Sequence, residues 1–211
     1  MAAIKTRTKQ PEVRRDQLLD AAESLFATNG QSDTTVADIA EAAGVAKGTF
    51  YLYFPSKEHC VVALKERLTE ELVDRFMSVL SPSFNALEHG IPINVRSVTE
   101  SLIDESFAYA LEHADTFHNL FYRGDTIEID QVSLAAEDTI TGTLTIAFGR
   151  LNELGLARIT HPEMTANILF SGIHWALEMV LHRKNSRDLT PLKEAAVEVV
   201  TRALGAESIP A

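Results

Sequence analysis

Apolar residues recur along almost the whole chain at the three-and-four spacing of an α-helix, and no stretch alternates apolar with polar residues as a half-buried strand would. Over residues 11–29 the stripe is Leu18, Ala22, Leu25 and Phe26. After Ser56-Lys57-Glu58 it is Val61, Leu64, Leu68, Leu72, Phe76 and Leu80. Faces of this kind are buried against other helices, so the expected fold class is all-α. Pro11 suits the first turn of the first helix, and Asn29-Gly30 ends it. Thr34 or Thr35 caps a second helix, with Asp38 at the capping-box position and Gly44 as its stop. A third, short helix is expected from about Ala46 to Tyr53, before Pro55. Pro82 is expected to end the long fourth helix, leaving residues 83–93 as a linker. Further helices are predicted over about 94–113, 115–122, 128–153, 163–183 and 189–204. The domains read as a basic arm over 1–10, a small helical domain over 11–55 and a larger helical body over 56–211.

The chain is 45% apolar and 23% charged, ordinary for a globular protein able to bury a core without cross-links or metals. Cys60 is the only cysteine, which excludes an intrachain disulfide and suits a reducing compartment. No signal peptide or membrane span is expected, because charge interrupts the apolar runs, as Glu178 does between Ile168 and Leu181. A cytoplasmic location follows as an expectation. The net charge of −11 argues at first against a nucleic-acid partner, but it is unevenly placed. Residues 1–15 carry Lys5, Arg7, Lys9, Arg14 and Arg15 against Glu12, a net of +4. Residues 61–211 carry 12 cations against 22 acids, a net of −10. An acidic body with a basic end can still meet DNA through that end.

The segment Thr34–Lys57 gives two short helices about a tight turn at Ala43-Gly44-Val45. Gly44 can take the left-handed conformation that redirects the chain, and Ala40 is small enough for a close crossing. Ile39, Val45, Phe50 and Phe54 supply the apolar contacts. This is the sequence form of a helix-turn-helix, whose second helix enters the major groove. Lys47 and Thr49 stand where side chains reach base edges or phosphates, and Gly48 permits close backbone approach. Tyr51, Tyr53 and Lys57 can donate to phosphate oxygens, Thr34 and Thr35 form a second clamp at a helix start, and Arg14 and Arg15 can add a third. Lys5, Arg7 and Lys9 extend the reach along the backbone. Helical hairpins with a central glycine are common, so the pattern alone does not decide between DNA binding and plain packing.

The order Asn29-Gly30, Thr34-Thr35-Val36-Ala37-Asp38-Ile39-Ala40, Gly44-Val45, Gly48-Thr49-Phe50-Tyr51, Tyr53-Phe54 and Ser56-Lys57-Glu58 resembles the DNA-binding domain of TetR/AcrR-family repressors over about residues 12–62. The remainder is similar only in size and helical pattern. The resemblance implies a three-helix head, a helical body that dimerises through its last two helices, and release of DNA when a small effector binds. It aligns Thr34 or Thr35, Lys47, Thr49, Tyr51, Tyr53 and Lys57 with DNA-contacting positions. Ala37 departs from a base-reading arginine of some members and Tyr53 from a frequent histidine, which hides the operator sequence.

In the body, the helix near 163–183 is apolar on two sides, Ile168, Leu169, Gly172, Ala176, Met179 and Val180 on one, Phe170, Ile173, Leu177 and Leu181 on the other. With the helix near 189–204, which bears Leu192, Ala195, Ala196, Val199, Val200 and Ala203, it is the expected homodimer face. The long fourth helix joins head to body and is the expected lever between effector and DNA. Candidate effector contacts are Phe76, Phe107, His113, Phe117, Phe121, Phe148, His174, Trp175 and Glu178, aromatic walls with a few polar groups; Tyr109, His118 and Tyr122 are further candidates. For each, core packing is the competing explanation, and His174 and Glu178, one turn apart, can simply satisfy each other. No metal site or cofactor is expected, since His113 and His118 are awkwardly spaced for shared ligation. No Gly-rich phosphate loop, Gly-x-Ser-x-Gly elbow or His-Glu-x-x-His appears, so an enzyme is disfavoured, and Cys60 beside His59 reads as packing. The alternative to a DNA-binding regulator is a ligand carrier or interaction module that does not touch DNA.

Overall fold

A computed structural model of the chain describes residues 11–121, 127–183 and 188–205, the side chains at 121, 127–133, 182 and 183 excepted. The described elements are helical throughout: α1 (Pro11–Asn29), α2 (Val36–Ala42), α3 (Lys47–Phe50), α4 (Lys57–Glu88), α5 (Val95–Glu112), α6 (Ala114–Phe121), α7 (Ile127–Glu153), α8 (Pro162–Glu178) and α9 (Thr190–Ala203). A π-helical turn, Met179–Arg183, continues α8. The basic arm, with Lys5, Arg7 and Lys9, lies outside the described residues, as do Tyr122 and the side chain of Phe121.

The chain divides into two compact units. Among the described residues, the first comprises 11–66 together with 115–121 and 127–130, the second 67–114 with 131–183 and 188–205. The boundary between these units falls inside α4, and the chain returns to the first unit through α6. In that unit Leu18, Leu19, Ala22 and Phe26 of α1 are buried, as are Ile39 and Ala40 of α2, Phe50, Phe54, Cys60, Val61 and Leu64. Leu120 of α6 is fully buried in the same unit. The C-terminus of α1 closes on Gly30, which takes φ +80° and donates its N–H to the Phe26 carbonyl at 3.0 Å. From α6, the Asn119 amide nitrogen donates to the Phe26 and Ala27 carbonyls at 3.1 and 3.3 Å, filling acceptors that the helix end leaves open.

The long helix corrects one expectation. α4 does not stop at Pro82 but runs on to Glu88. Pro82 removes one N–H from the helix ladder, and it sits on the exposed side, as does Ser78, whose carbonyl loses its partner. Leu80 and Phe84 on the inner side pack into the core and hold the helix through the proline. The actual stop is Gly90, at φ +73°. The Ile91 and Gly90 N–H groups donate to the Ala86 and Leu87 carbonyls at 2.9 and 3.0 Å, the two bonds of a Schellman cap.

Among the described residues of the second unit, apolar side chains gather into separate clusters. Phe107 and Ile103 of α5 meet Leu177 of α8, Leu181, and Ala196 and Val197 of α9. Phe148 and Leu151 of α7 meet Ala166 and Leu169 of α8 and Leu204. Phe76 and Leu80 of α4 meet Ile140 and Ala147 of α7, with Phe170 against them. Tyr109, almost fully buried, donates its hydroxyl to the Leu68 carbonyl at 2.7 Å, and the Arg75 guanidinium lies 4.8 Å from its ring centroid.

α8 splits differently from the two stripes expected. Leu169 and Leu177 are buried, while Met164, Ile168, Gly172 and Trp175 are exposed. On α9, Ala195, Val199 and Ala203 are exposed and Ala196 and Val197 buried. By length and composition Pro162–Leu181 also suffices to cross a membrane, which the position of Glu178 had argued against.

Candidate nucleic-acid interface

The site is assembled by two turns. At the start of α2, Thr35 is the cap: its hydroxyl accepts from the Asp38 N–H at 3.3 Å, and the Asp38 carboxylate accepts from the Thr35 N–H at 2.8 Å. The same carboxylate oxygen accepts from the Thr35 hydroxyl at 2.7 Å. These bonds hold the Asp38 carboxyl below its ordinary pKa. A folded value below the unfolded one means that the cap stabilises above the ordinary carboxyl range and weakens as pH falls through the folded pKa. Independently of that titration, Thr35→Ala removes the N-cap side chain, a loss of about 1 kcal/mol. The share of the deficit that comes from the hydroxyl bond to the carboxylate should shrink in acid, and thermal unfolding at about pH 7 and about pH 3 measures both.

At the end of α2, Gly44 takes φ +67°. Its N–H donates to Glu41 at 2.9 Å while the Val45 N–H reaches the Ala40 carbonyl at 2.9 Å, a second Schellman cap. That turn sends the chain into α3. The expected helix from 46 to 53 is present as α3, Lys47–Phe50, followed by a turn through Tyr53 in which the Phe54 N–H still reaches the Phe50 carbonyl. Phe50 and Phe54 are buried, with ring centroids 5.4 Å apart. Arg15 sets its guanidinium 5.5 Å from the Phe54 ring, and Arg14 donates to the Gln17 side chain at 2.9 Å.

The expected contact residues separate into three groups. Lys47, Gly48 and Tyr51 are exposed, and a Cβ added at Gly48 would meet nothing within 4 Å. Thr35 is exposed at the cap, and Thr49 and Tyr53 are half-buried. Thr34 is a correction. It is 0% exposed, and its hydroxyl donates inward to the Gly30 carbonyl at 2.8 Å, so it ties the α1–α2 loop together and offers nothing to a duplex. Lys57 is half-buried, its ammonium turned to the Gln31 and Thr34 carbonyls at 2.7 and 2.9 Å.

One surface residue escaped the sequence reading. Leu52 is 81% exposed beside Tyr51. Its signal was present: it falls off the Val45, Phe50 and Phe54 apolar set, and a leucine with no core to enter is conspicuous. The face that Lys47, Gly48, Tyr51 and Leu52 share offers a cation, a phenol, an open backbone and an apolar tip. That mixture suits phosphates and base edges, including the thymine methyl group.

A family model described as bacterial regulatory proteins of the tetR family matches residues 18–64, the segment that carries this geometry. The helix-turn-helix of this chain is of the TetR type. It is 39% identical over 79 residues to the HTH-type transcriptional repressor KstR2 of Mycolicibacterium smegmatis, an alignment covering 37% of this chain and 38% of that one. The chain thus spans well under half the length of that relative. In fold, it is similar to the fatty acid degradation regulator FadR of Bacillus halodurans, with TM-score 0.74, 22% identity and coverage of 92% and 96%. The FadR of Bacillus subtilis, solved in complex with stearoyl-CoA, matches with TM-score 0.73, 20% identity and coverage of 89% and 98%. These likenesses show that the helical body shares its fold with that of those regulators.

The expected effector residues do not converge. Phe107, Phe148 and Phe76 belong to three different apolar clusters. Trp175 is half-exposed on the open side of α8, away from the buried face on which a pocket residue would lie. His113 is half-buried with its ring 4.5 Å from that of Tyr109, and Phe117 and His118 are half-buried on α6. His174 stacks on Phe170 with centroids 5.6 Å apart, and Phe170 packs against the cluster of Phe76. Burial pushes the His174 imidazole below its ordinary pKa, and the Glu178 carboxylate one turn away pulls it partly back. A groove of about 610 Å³ does lie between α5 and α9, but it is lined by Arg96, Glu100, Asp104, Lys193, Glu198 and Arg202, among others, and by none of the aromatic candidates. Its cations are paired within the chain: Arg96 with Glu100, Lys193 with Asp104, Arg202 with Glu198.

Proposed function

We propose that the protein is a dimeric transcriptional regulator, a repressor that holds a palindromic site in duplex DNA and lets go when a small, largely apolar molecule occupies its helical body. The observation that carries this reading is the open face of Lys47, Gly48 and Tyr51, held at a fixed angle by the Gly44 turn. A cytoplasmic location, where the chromosome is, goes with it. Purified protein should retard DNA from upstream of its own gene, and binding should weaken steeply with salt. Tyr51→Ala should lower affinity roughly tenfold, about 1.4 kcal/mol, without altering the dimer. Lys47→Met should reduce the slope of log affinity against log salt by about 0.9, the mark of one lost phosphate contact. Absence of any shift over all upstream duplexes favours a ligand carrier instead.

In our reading the dimer face lies on α8 and α9. Their exposed residues, Met164, Ile168, Gly172 and Trp175 on one and Ala195, Val199 and Ala203 on the other, are too apolar and too continuous to stay wet. A membrane is the poorer occupant, because the other side of α8 is already committed: Ala166, Leu169 and Leu177 pack into the protein's own clusters. Two-fold pairing would place two copies of α3 to read half-sites related by the same symmetry.

For the effector, the similarity in fold to a regulator solved with stearoyl-CoA makes a long acyl chain the first compound to test. A true effector raises thermal stability and lowers DNA affinity together. Stearoyl-CoA and free stearate, compared in both assays, separate recognition of the chain from recognition of its head group.

A further inference from the structure

We infer that Lys57 governs DNA affinity as an internal strut rather than as a ligand of the phosphate backbone, a conclusion that rests on the DNA-binding reading above. Lys57 is the first residue of α4, and its ammonium donates at 2.7 and 2.9 Å to the carbonyls of Gln31 and Thr34, residues 26 and 23 positions earlier. An ammonium has three donors, so two are spent inside the protein. The acceptors belong to the short loop between the Gly30 cap of α1 and the Thr35 cap of α2. Within that loop the Gly30 carbonyl is already taken by the Thr34 hydroxyl at 2.8 Å. The Gln31 carbonyl has the Thr34 N–H at a long 3.4 Å as its other donor.

Thr34 is fully buried, so a carbonyl left open there finds no water to replace Lys57. The next residue, Thr35, begins α2, and the Gly44 turn passes the direction of α2 on to α3. Lys57 therefore ties the first turn of α4 to the amino end of the helix-turn-helix. To neutralise a phosphate with its full set of donors, it would have to release both carbonyls and loosen the support of the reading surface. Lys57 is a positioning residue, and any displacement of the start of α4 is transmitted through it to α2.

The test compares Lys57→Met and Lys57→Arg with wild type in DNA-binding isotherms at several salt concentrations, together with thermal unfolding. The strut predicts at least a tenfold loss of affinity for Lys57→Met, measured well below its unfolding temperature, with the salt slope unchanged. It also predicts a loss for Lys57→Arg, because the longer, planar guanidinium does not fit a site in which one compact ammonium nitrogen lies 2.7 and 2.9 Å from both carbonyls. A slope reduced by about 0.9 in Lys57→Met, with Lys57→Arg near wild type, overturns the inference in favour of a phosphate ligand. Lower thermal stability with unchanged affinity overturns it too, leaving a merely structural lysine. Where Lys57→Met is too unstable to assay, the charge-preserving arginine decides. Failure of the wild-type protein to bind any duplex removes the underlying reading, and that failure is visible before any variant is made.

Discussion

Ile168→Arg is expected to leave a folded monomer that no longer holds operator DNA. Ile168 is 73% exposed in the single chain, so the subunit's own core loses nothing when it changes. In a two-fold dimer built on α8 and α9 the same position is covered by the partner, and the symmetry brings two arginines into one apolar interface. An uncompensated buried charge costs about 3–5 kcal/mol, enough to raise the dimer dissociation constant by a hundredfold or more. A monomer keeps one half-site contact only, so affinity for a palindromic site should fall by about two orders of magnitude or more. Sedimentation and DNA retardation, run on the same preparation, measure the two effects. Ile146→Arg on α7, where the isoleucine is 76% exposed, provides the comparison. If that substitution splits the dimer and Ile168→Arg does not, the interface is elsewhere.

The second large effect is expected from Asn119→Asp, a change of almost no volume. Both acceptors facing the side chain are carbonyls, Phe26 and Ala27, so only the amide nitrogen can satisfy them. A carboxylate there donates nothing and lies against the negative end of the α1 dipole. The two penalties together come to about 2–4 kcal/mol near neutrality, moderated because the residue is half-buried. In a chain of this size that lowers the midpoint of thermal unfolding by roughly 5–15 °C. The introduced carboxyl should have its folded pKa raised, since the site disfavours its charged form. The variant therefore approaches wild-type stability below the unfolded value of about 3.9, where a protonated carboxyl can donate in place of the amide, and loses stability as pH rises through the folded pKa. Equal unfolding temperatures for the two proteins at neutral pH would show that the contact contributes nothing.

What was legible in advance was whatever a few neighbouring residues decide. The Gly30 and Gly44 stops, the Thr35–Asp38 cap and the buried pair Phe50 and Phe54 are local, and each is found where turn chemistry and helical period put it. Pro82 misled because its cost is local while the compensation is not: Leu80 and Phe84 anchor the helix beyond it and Gly90 supplies the true end. Lys57 and Asn119 were out of reach for a similar reason, since their partners lie 23 to 26 and 92 to 93 positions away. The effector residues were least legible. An aromatic that fills a core and one that lines a pocket share the same helical stripe, and Phe76, Phe107 and Phe148 fell into separate clusters. Trp175 pointed the same lesson outward, because only packing shows which of two apolar sides of α8 stays open.

The return of α6 to the amino-terminal unit has a consequence for how that unit can be made. Leu120 and Asn119 are supplied only after residues 67–114 have been synthesised, so a fragment ending at Glu66 lacks both the plug and the cap for the end of α1. A nascent chain on the ribosome would hold the reading helix in an unfinished scaffold until α6 emerges. Excision at a single cut yields a weakened domain, whereas rejoining 1–66 to α6 through a flexible tether should recover it.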